Sequence, residues 1–352
     1  MTNTSSAADG AVEGIRAENI TRWLADRVPI EPPLTFDLIP GGRSNMTFMV
    51  SDAAGSTYVL RRPPLGPLLP SAHDMGREHR LMDALADSAV PVPALVGLCQ
   101  DPAVNDRDFY VMYEVPGVVV RDVDIARGLD EGVRARMADE LIDTLCALHR
   151  VDIDAVGLGD LAKRSGYLER QLKRWSGQWE QSRQRDLPLI DTVRHTLEAR
   201  LPAEARTTIA HGDYRLSNCM MDPSGPVAAV LDWELCTLGD PMADLAGLLG
   251  YWHDPEEPEV AGDAEATSLP GFPSREELAA RYADEMRIDL DLVDYYQAFA
   301  AWRLACIGEG VYARYANGQQ GSQDEEFDLD DYRDSVDRRV DLAARYLGLA
   351  TT

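Results

Sequence analysis

The stretch His211-Gly212-Asp213-Tyr214-Arg215-Leu216-Ser217-Asn218, followed by Leu231-Asp232-Trp233-Glu234, decides how the rest of the chain is interpreted. Asp213 and Asn218 are five positions apart, and Asp232 follows Asn218 by fourteen. In phosphoryl transfer, one carboxylate positions an incoming hydroxyl and accepts its proton, while other oxygen ligands hold Mg²⁺ on the nucleotide phosphates. The three side chains could supply these parts.

A hairpin is predicted between the two quoted segments. Short apolar runs at residues 219–221 and 227–231 flank the turn-rich residues 222–226, which is a hairpin pattern. The hairpin would return Asp232 to the neighbourhood of Asp213. Two carboxylates about 5 Å apart would repel by roughly 3 kcal/mol at an effective dielectric of about 20. A divalent cation would relieve that repulsion, and Mg²⁺ prefers such hard oxygen ligands.

Arg215 is a further candidate for catalysis. It lies two positions after Asp213, where Ser/Thr protein kinases often carry a Lys that contacts the transferred phosphoryl group. A guanidinium keeps its charge and can bind two phosphate oxygens. The alternative, an ion pair with a surface carboxylate, has equal weight.

Together these motifs resemble the aminoglycoside phosphotransferase and choline kinase group of small-molecule kinases. Residues 239–246, Gly-Asp-Pro-Met-Ala-Asp-Leu-Ala, add to the resemblance. Residues 58–64, Tyr-Val-Leu-Arg-Arg-Pro-Pro, and residues 90–93, Val-Pro-Val-Pro, are most similar to the subfamily also found fused to some acyl-CoA dehydrogenases. The likeness extends from about Phe36 to the last predicted helix.

The resemblance implies an α+β, bilobal protein-kinase-like fold, with a small β-rich N-terminal lobe and a larger, mainly helical C-terminal lobe. It implies ATP or GTP with Mg²⁺ between the lobes. It assigns the catalytic base to Asp213, metal ligation to Asn218 and Asp232, and support of the catalytic loop to His211. Asp240 and Asp244 are expected to support the loop and the helix that follows it.

The predicted domain organisation has three parts. Residues 1–15 are expected to be a disordered tail, residues 16–115 the nucleotide-binding lobe, and residues 116–352 the catalytic and acceptor-binding lobe. Residues 38–50 contain two glycines and small polar residues before an apolar run, as in loops whose backbone N–H groups approach phosphates. The predicted phosphate contacts are Gly42, Ser44 and Asn45.

A cation and its partner are expected in the same lobe. Arg61 occupies the place where kinases carry a strand Lys that holds the α- and β-phosphates. We expect Arg61 rather than Arg62 to face the cleft, because strand residues alternate between faces. Glu78, on a predicted helix, is the expected ion-pair partner, and the alternative is a solvated helix charge.

The nucleotide hinge is predicted at residues 108–117, a buried strand that runs into a linker. Met112 and Glu114 are the candidate contacts, because the adenine edge would bind backbone groups there. Side chains in this segment do not specify the base. ATP is therefore the expected nucleotide, with GTP as an alternative.

Composition limits the partners. The formal charge of −26 over 352 residues argues against nucleic acid, whose binding requires a basic surface. No apolar run approaches the ~20 residues that cross a membrane, and no secretion signal is evident, so a cytoplasmic location is expected. The five cysteines lack zinc or disulfide spacing, which favours buried thiols. Oligomeric state does not follow from the sequence.

The acceptor is expected to be a small molecule with a hydroxyl group. Trp175 and Trp179, four apart on a predicted helix, could form a wall of its pocket or could pack in the core. A predicted helix over residues 294–315 offers another aromatic wall, and residues 253–272 predict a mobile loop. Few carboxylates accompany these aromatic residues. This favours a hydroxylated, partly apolar acceptor such as a hydroxyacyl thioester over a polycationic aminoglycoside.

Two other functions compete with a small-molecule kinase. The first is a catalytically silent kinase-like regulator that binds a nucleotide or a metabolite, for which Arg61 in place of Lys is the best support. The second is a protein kinase, which is disfavoured because the chain lacks Asp-Phe-Gly and Ala-Pro-Glu motifs.

Overall fold

The protein is described by a computed structural model over residues 12–40, 45–66, 73–204, 206–254, 263–317 and 328–350. It divides into two compact units. The first unit comprises Met1–Pro116 with Ala229–Glu234, and the second comprises Gly117–Ala228 with Leu235–Thr352. The segment Ala229–Glu234 thus belongs to the N-terminal unit. The predicted domains were contiguous and placed this segment in the C-terminal lobe.

The first unit is built on an antiparallel sheet of five strands in the order β1-β2-β3-β5-β4. Its elements are α1 (Ala17–Ala25), β1 (Thr35–Leu38), β2 (Met46–Ser51), β3 (Thr57–Arg62), α2 (Met75–Leu85), β4 (Leu95–Cys99) and β5 (Phe109–Tyr113). Phe48 pairs with Leu60 and Leu60 with Val111, and all three are buried. Because strand residues alternate between faces, this register gathers one apolar face against the buried side of α1, which includes Ile20 and Leu24.

The residues before α1 join the same core. Ile15 is 8% exposed, and Val12 packs against the cluster. The disordered tail predicted to residue 15 is therefore too long, because Ile15 is buried in this core and the partly buried Val12 packs against it. Residues 1–11 of that tail lie outside the described residues.

The second unit is mainly helical. Its helices are α3 (Val123–Arg127), α4 (Glu131–Arg150), α5 (Tyr167–Ser182), α6 (Pro188–Ala199), α7 (Pro241–Gly250), α8 (Asp263–Thr267), α9 (Arg275–Met286), α10 (Val293–Ala316) and α11 (Leu329–Tyr346). Residues 208–239 contain four short strands, β6 (Thr208–Ala210), β7 (Cys219–Met221), β8 (Val227–Val230) and β9 (Thr237–Gly239), paired as β6-β9 and β7-β8. The last two residues of β8 belong to the segment assigned to the first unit. The β7-β8 pair confirms the predicted hairpin. Its turn is closed by a hydrogen bond of 2.7 Å from the Asp222 N–H to the Pro226 carbonyl.

Helix α10 is the centre of the helical core. Phe299 and Trp302 on this helix are buried, and so are Trp175 and Trp179 on α5. The two α5 tryptophans are therefore core residues, as one of the two interpretations held. The aromatic residues of α10 also pack in this core, because the helix is enclosed by α5, α6, α7 and α11.

The loop predicted to be mobile over residues 253–272 is partly ordered. It contains the short helix α8, and Arg134 on α4 donates a hydrogen bond of 2.7 Å to the Pro270 carbonyl. The residues on either side of the loop are also joined, because the Trp252 indole N–H donates to the Pro273 carbonyl at 2.9 Å. Part of the segment therefore has regular structure, its mobility stays a prediction, and residues 255–262 are not among those described.

The five cysteines are free and buried, as predicted.

Candidate active site

The loop that carries the central motif lies between β6 and β7. Gly212 has a φ of +84°, and a Cβ at this position would lie 2.7 Å from the Leu235 backbone carbonyl. Only glycine fits this position without strain or displacement of backbone. The loop ends in a 3₁₀ turn at Leu216–Asn218, in which the Asn218 N–H donates to the Arg215 carbonyl at 3.0 Å. Gly212 and the 3₁₀ turn together fix the backbone position of Asp213.

Asp213 and Asn218 are in direct contact. The Asn218 amide nitrogen donates to the Asp213 carboxylate and to its backbone carbonyl, each at 2.8 Å. This use of the nitrogen leaves the Asn218 carbonyl oxygen as the atom that could ligate a metal. The Asp213 side chain is 22% exposed, so its carboxylate is fixed in orientation and still accessible.

Arg215 lies against Asp213 and an aromatic ring. Its Nε is 3.5 Å from the Asp213 carboxylate, and its guanidinium carbon is 4.5 Å from the centre of the Tyr251 ring. Arg215 therefore forms an ion pair, as the alternative interpretation held. Its partner, however, is the predicted catalytic base and not a carboxylate elsewhere on the surface. The role of Arg215 in phosphoryl transfer stays a prediction.

Asp244 on α7 holds the start of the loop. Its carboxylate accepts the His211 N–H at 2.6 Å, the Gly212 N–H at 2.8 Å and the His149 ring nitrogen at 3.3 Å. Burial alone would raise the pKa of the Asp244 carboxyl, but hydrogen bonds from His149 and from the Gly212 N–H lower it below its usual range. Arg303 on α10 donates to the Gly212 carbonyl at 2.7 Å. The backbone before Asp213 is therefore fixed on both sides.

His211 and Asp240 support the same region. The Asp213 N–H donates to the His211 ring nitrogen Nδ1 at 3.3 Å, and His211 is fully buried. Asp240 caps α7 by accepting the Met242 N–H at 3.0 Å, and it also accepts the Tyr296 hydroxyl at 2.7 Å. The predicted helix start at residues 240–241 is therefore confirmed.

In the first unit, Arg61 is surrounded by carboxylates. Its Nε is 3.0 Å from Glu78, its Nη2 binds Asp232, and the same nitrogen is 3.9 Å from Glu234. Burial alone would lower the pKa of Arg61, but Tyr110 and the three carboxylates raise it above its usual value. The guanidinium therefore stays charged. The expected pairing of strand Arg and helix Glu is present.

Arg62 takes no part in this cluster. It is buried, binds the Gly14 and Pro63 carbonyls, and lies 3.2 Å from Asp106. The alternation of side chains along β3 thus sends the two arginines to different partners.

Asn45 and Glu234 complete the Arg61 cluster. The Asn45 amide nitrogen donates to Glu78 at 3.0 Å and to Glu234 at 3.2 Å, and its oxygen lies 2.8 Å from Nδ1 of His73. Since every polar atom of the Asn45 side chain has a protein partner, a phosphate contact from this residue would have to come from its backbone. Glu234 has no role in the sequence prediction, although it stands two positions after Asp232. Gly42 and Ser44 lie outside the described residues.

Asp232 has an unusual backbone conformation. Its φ is +63°, in the left-handed region that non-glycine residues seldom adopt and that concentrates at functional sites. Its side chain is 34% exposed. The carboxylate is therefore accessible while its backbone is held in a strained turn.

The predicted hinge residues lie at the end of β5. Met112 pairs with Val59 and Leu95 and is 9% exposed. The Glu114 carboxylate accepts a hydrogen bond from the Thr57 hydroxyl. Their nucleotide contacts stay predictions.

Among the residues that the structure describes, no group of three or more His, Cys, Asp or Glu side chains is placed to hold a metal ion. In the same part of the chain, no helix has the length and apolar character needed to cross a membrane.

The first unit has an antiparallel sheet with an Arg–Glu pair, and the second is helical with a loop that holds an Asp and an Asn in contact. These features place the protein in the class of kinase-like phosphotransferase folds. The chain belongs to the phosphotransferase enzyme family, known as APH, whose profile matches residues 35–278. The predicted family and the predicted α+β kinase-like fold are thereby confirmed.

Similar proteins include two long acyl-CoA dehydrogenase family members. Member 10 from Mus musculus is 38% identical over 286 residues, which are 80% of this chain and 26% of that protein. Member 11 from Homo sapiens is 34% identical over 318 residues, 89% of this chain and 40% of that protein. The chain therefore spans well under half of the length of these relatives.

Solved structures agree on the fold. A protein from Ralstonia eutropha, provisionally assigned as an aminoglycoside phosphotransferase, is 32% identical with a TM-score of 0.78, covering 95% of this chain and 99% of that one. The streptomycin–ATP complex of the aminoglycoside phosphotransferase APH(2″)-IIa is 16% identical with a TM-score of 0.57, covering 85% and 91%. At that identity the second comparison supports the fold alone.

Proposed function

We propose that the protein is a Mg²⁺-dependent kinase that transfers the γ-phosphoryl group of ATP, or of GTP, to a hydroxyl of a small molecule. The observation that carries the proposal is the Asp213 carboxylate, which is accessible and oriented by Asn218 on a loop that Asp244 fixes. A carboxylate in this setting is suited to orient a hydroxyl for in-line attack and to accept its proton.

The remaining roles follow from charge. Arg61 and Arg215 would neutralise charge on the phosphate oxygens, while the Glu78 carboxylate lies 3.0 Å from Nε of Arg61 and holds its guanidinium. Asn45, Met112, Glu114 and the loop containing Gly42 and Ser44 are the proposed nucleotide contacts. His211 would support the loop through the Asp213 N–H.

A magnesium ion suits the oxygen ligands of this chain. The Asn218 carbonyl oxygen and the Asp232 carboxylate are the proposed protein ligands, and Mg²⁺ commonly takes only one or two carboxylates beside phosphate oxygens and water. When bound, the ion would neutralise charge on the β- and γ-phosphates.

For the acceptor we propose a hydroxyacyl thioester. The similar proteins from mouse and human are named as acyl-CoA dehydrogenase family members, which supports an acyl substrate for a domain related to part of them.

The test is a nucleotide-consumption assay with hydroxyacyl thioesters, the corresponding free hydroxy acids and kanamycin. We expect wild type to consume nucleotide with a thioester, and Asp213→Asn to lose turnover by about 100-fold or more while still binding nucleotide. Asp186→Asn is the matched control, because it makes the same change at an exposed residue. If nucleotide binds but no acceptor is phosphorylated, the silent regulator becomes the better assignment.

A further inference from the structure

Tyr110 on β5 is joined to the Arg61 cluster by its hydroxyl, although the sequence predicted no role for it. The hydroxyl donates a hydrogen bond of 3.0 Å to Oε2 of Glu78, the same oxygen that lies 3.0 Å from Nε of Arg61. Tyr110 and Arg61 are also direct cross-strand partners in the β3-β5 pairing, so their side chains leave the sheet on the same face. Tyr110 and Glu78 are both buried. One buried carboxylate oxygen therefore serves both side chains.

The Glu78 carboxylate is held at both of its oxygens. Oε1 accepts the amide N–H of Asn45 at 3.0 Å, and Oε2 accepts the Tyr110 hydroxyl. The two donors come from separate strands, since Asn45 directly precedes β2 and Tyr110 lies within β5. A rotation of the carboxylate would leave a buried donor without its acceptor, which is unfavourable. The orientation of Glu78 is therefore set from two sides.

The protonation states suit this arrangement. Burial raises the pKa of Tyr110 well above its usual value, so the phenol keeps its proton and remains a donor. Burial also raises the pKa of Glu78, while the charge of Arg61 and the hydrogen bond from Tyr110 act in the opposite direction. Tyr110 thus favours the ionised carboxylate that an ion pair with Arg61 requires.

The contacts of Arg61 leave one nitrogen for a ligand. Its Nε faces Glu78 and its Nη2 binds Asp232, whereas its Nη1 has no partner among the residues that the structure describes. Because a guanidinium is planar, the contacts of Nε and Nη2 determine where Nη1 points. A shift of the Glu78 carboxylate would therefore redirect Nη1.

We infer that Tyr110 is a positioning residue for nucleotide binding: its hydroxyl fixes the Glu78 carboxylate, and Glu78 fixes the plane of the Arg61 guanidinium so that Nη1 can donate to a phosphate oxygen. The inference rests on the proposed function, which makes the ligand a nucleoside triphosphate with Mg²⁺. The pairing of Arg61 with Glu78 was expected from the sequence, but a tyrosine that orients the pair was not.

The experiment compares Tyr110→Phe with Tyr58→Phe. Tyr58→Phe is the matched control, because Tyr58 is a buried tyrosine on the neighbouring strand β3 and its hydroxyl donates to the Pro29 carbonyl at 3.2 Å, not to the Arg61 cluster. Calorimetry measures the Kd of AMP-PNP and of GMP-PNP, each with MgCl₂, at a temperature where circular dichroism shows both variants folded. We expect Tyr110→Phe to raise the Kd of the tighter analogue by roughly 3- to 10-fold, and Tyr58→Phe to leave it unchanged.

A double-mutant cycle separates positioning from a general loss of packing. In a Glu78→Ala background the Tyr110 hydroxyl has no carboxylate to hold, so Tyr110→Phe should then change the Kd by less than about 2-fold. Where an acceptor is phosphorylated, Tyr110→Phe should raise the KM for nucleotide and leave the KM for the acceptor unchanged. An effect of Tyr110→Phe that is equally large with and without Glu78 would overturn the inference.

The outcomes distinguish this inference from the proposed function. If wild type binds an analogue and Tyr110→Phe binds it as tightly as Tyr58→Phe does, the positioning role is overturned and the phosphotransferase proposal stands. If wild type binds an analogue but phosphorylates no acceptor, the proposed function fails, and the Kd values still decide the role of Tyr110. If wild type binds neither analogue, both proposals are overturned.

Discussion

Replacing Asp244 by Asn tests how firmly the catalytic loop is held. The carboxylate receives one N–H on Oδ1, from Gly212 at 2.8 Å, and two donors on Oδ2, from His211 at 2.6 Å and His149 at 3.3 Å. An amide has a single oxygen. In its better rotamer the oxygen keeps the two donors of Oδ2, and the amide NH₂ then faces the Gly212 N–H.

The magnitude follows from these contacts. A hydrogen bond to a charged group contributes about 1.5–3 kcal/mol, and a buried donor without an acceptor costs about 1–3 kcal/mol. The variant loses one such bond, weakens two others by removing the charge and leaves one N–H unsatisfied. We therefore expect Asp244→Asn to lower the free energy of unfolding by about 3–5 kcal/mol, the range found when one partner of a buried ion pair is removed.

Urea unfolding, followed by circular dichroism and by tryptophan fluorescence, measures this loss. Asp139→Asn is the matched control, because Asp139 is 56% exposed and pairs with Arg281 at 3.3 Å on the surface. Such a pair contributes about 0–1 kcal/mol. An Asp244→Asn protein within 1 kcal/mol of the control, at unchanged slope, would refute the view that this carboxylate holds the loop.

The difference in stability between wild type and Asp244→Asn should also depend on pH. The pKa of Asp244 is lower in the folded protein than its ordinary value, which is about 3.9 for an unfolded Asp. Between the two pKa values the unfolded state binds more protons, so stability rises with pH there. The difference between wild type and Asp244→Asn should be complete above about pH 5 and should shrink as pH falls below about 4. A difference that grows on acidification would contradict the assignment.

Three further substitutions test neighbouring features. Gly212→Ala should lower the free energy of unfolding by several kcal/mol, because the new Cβ would lie 2.7 Å from a backbone oxygen. Gly157→Ala, at a φ of +73° with nothing within 4 Å of the new Cβ, should lower it only by the left-handed penalty of about 1–2 kcal/mol. Urea unfolding compares the two variants, and equal losses of stability would exclude the steric explanation. Arg61→Lys should weaken nucleotide binding about 10-fold by calorimetry, because one ammonium replaces two separate contacts, and an equal loss in Arg62→Lys would show that the cluster is not responsible. Arg215→Ala should lower turnover by about 10- to 100-fold with nucleotide affinity unchanged; full turnover would leave Arg215 as an ion-pair partner only.

Local patterns in the sequence predicted local parts of the structure. The hairpin after Asn218 follows from two apolar runs and a turn-forming segment, and the start of α7 follows from Asp240 and Pro241. The separation of Arg61 from Arg62 follows from strand alternation. Each of these depends on residues within a few positions of one another, so propensity and periodicity suffice.

Contacts between distant segments were less predictable. Asn45 and Glu234 are 189 positions apart, yet they share a hydrogen bond in the Arg61 cluster. Periodicity cannot separate a tryptophan on an acceptor wall from one in a core, and Trp175 and Trp179 required the packing of α10 to decide. The contact of the Pro270 carbonyl with Arg134 on α4 was not predicted either, because the composition around Pro270 is that of a loop and its partner is 136 positions away.

The Arg at position 61 gains a physical explanation from these distant contacts. Its Nε binds Glu78 on α2, and its Nη2 binds Asp232 in the segment contributed by Ala229–Glu234. A Lys ammonium concentrates its charge on one nitrogen, whereas the guanidinium carries donors that point in different directions and can hold two carboxylates apart. Arg in place of Lys therefore fits a cluster with three carboxylates, and it does not by itself indicate a decayed site. A silent regulator would need independent support, such as nucleotide binding that persists in the absence of any phosphorylated acceptor.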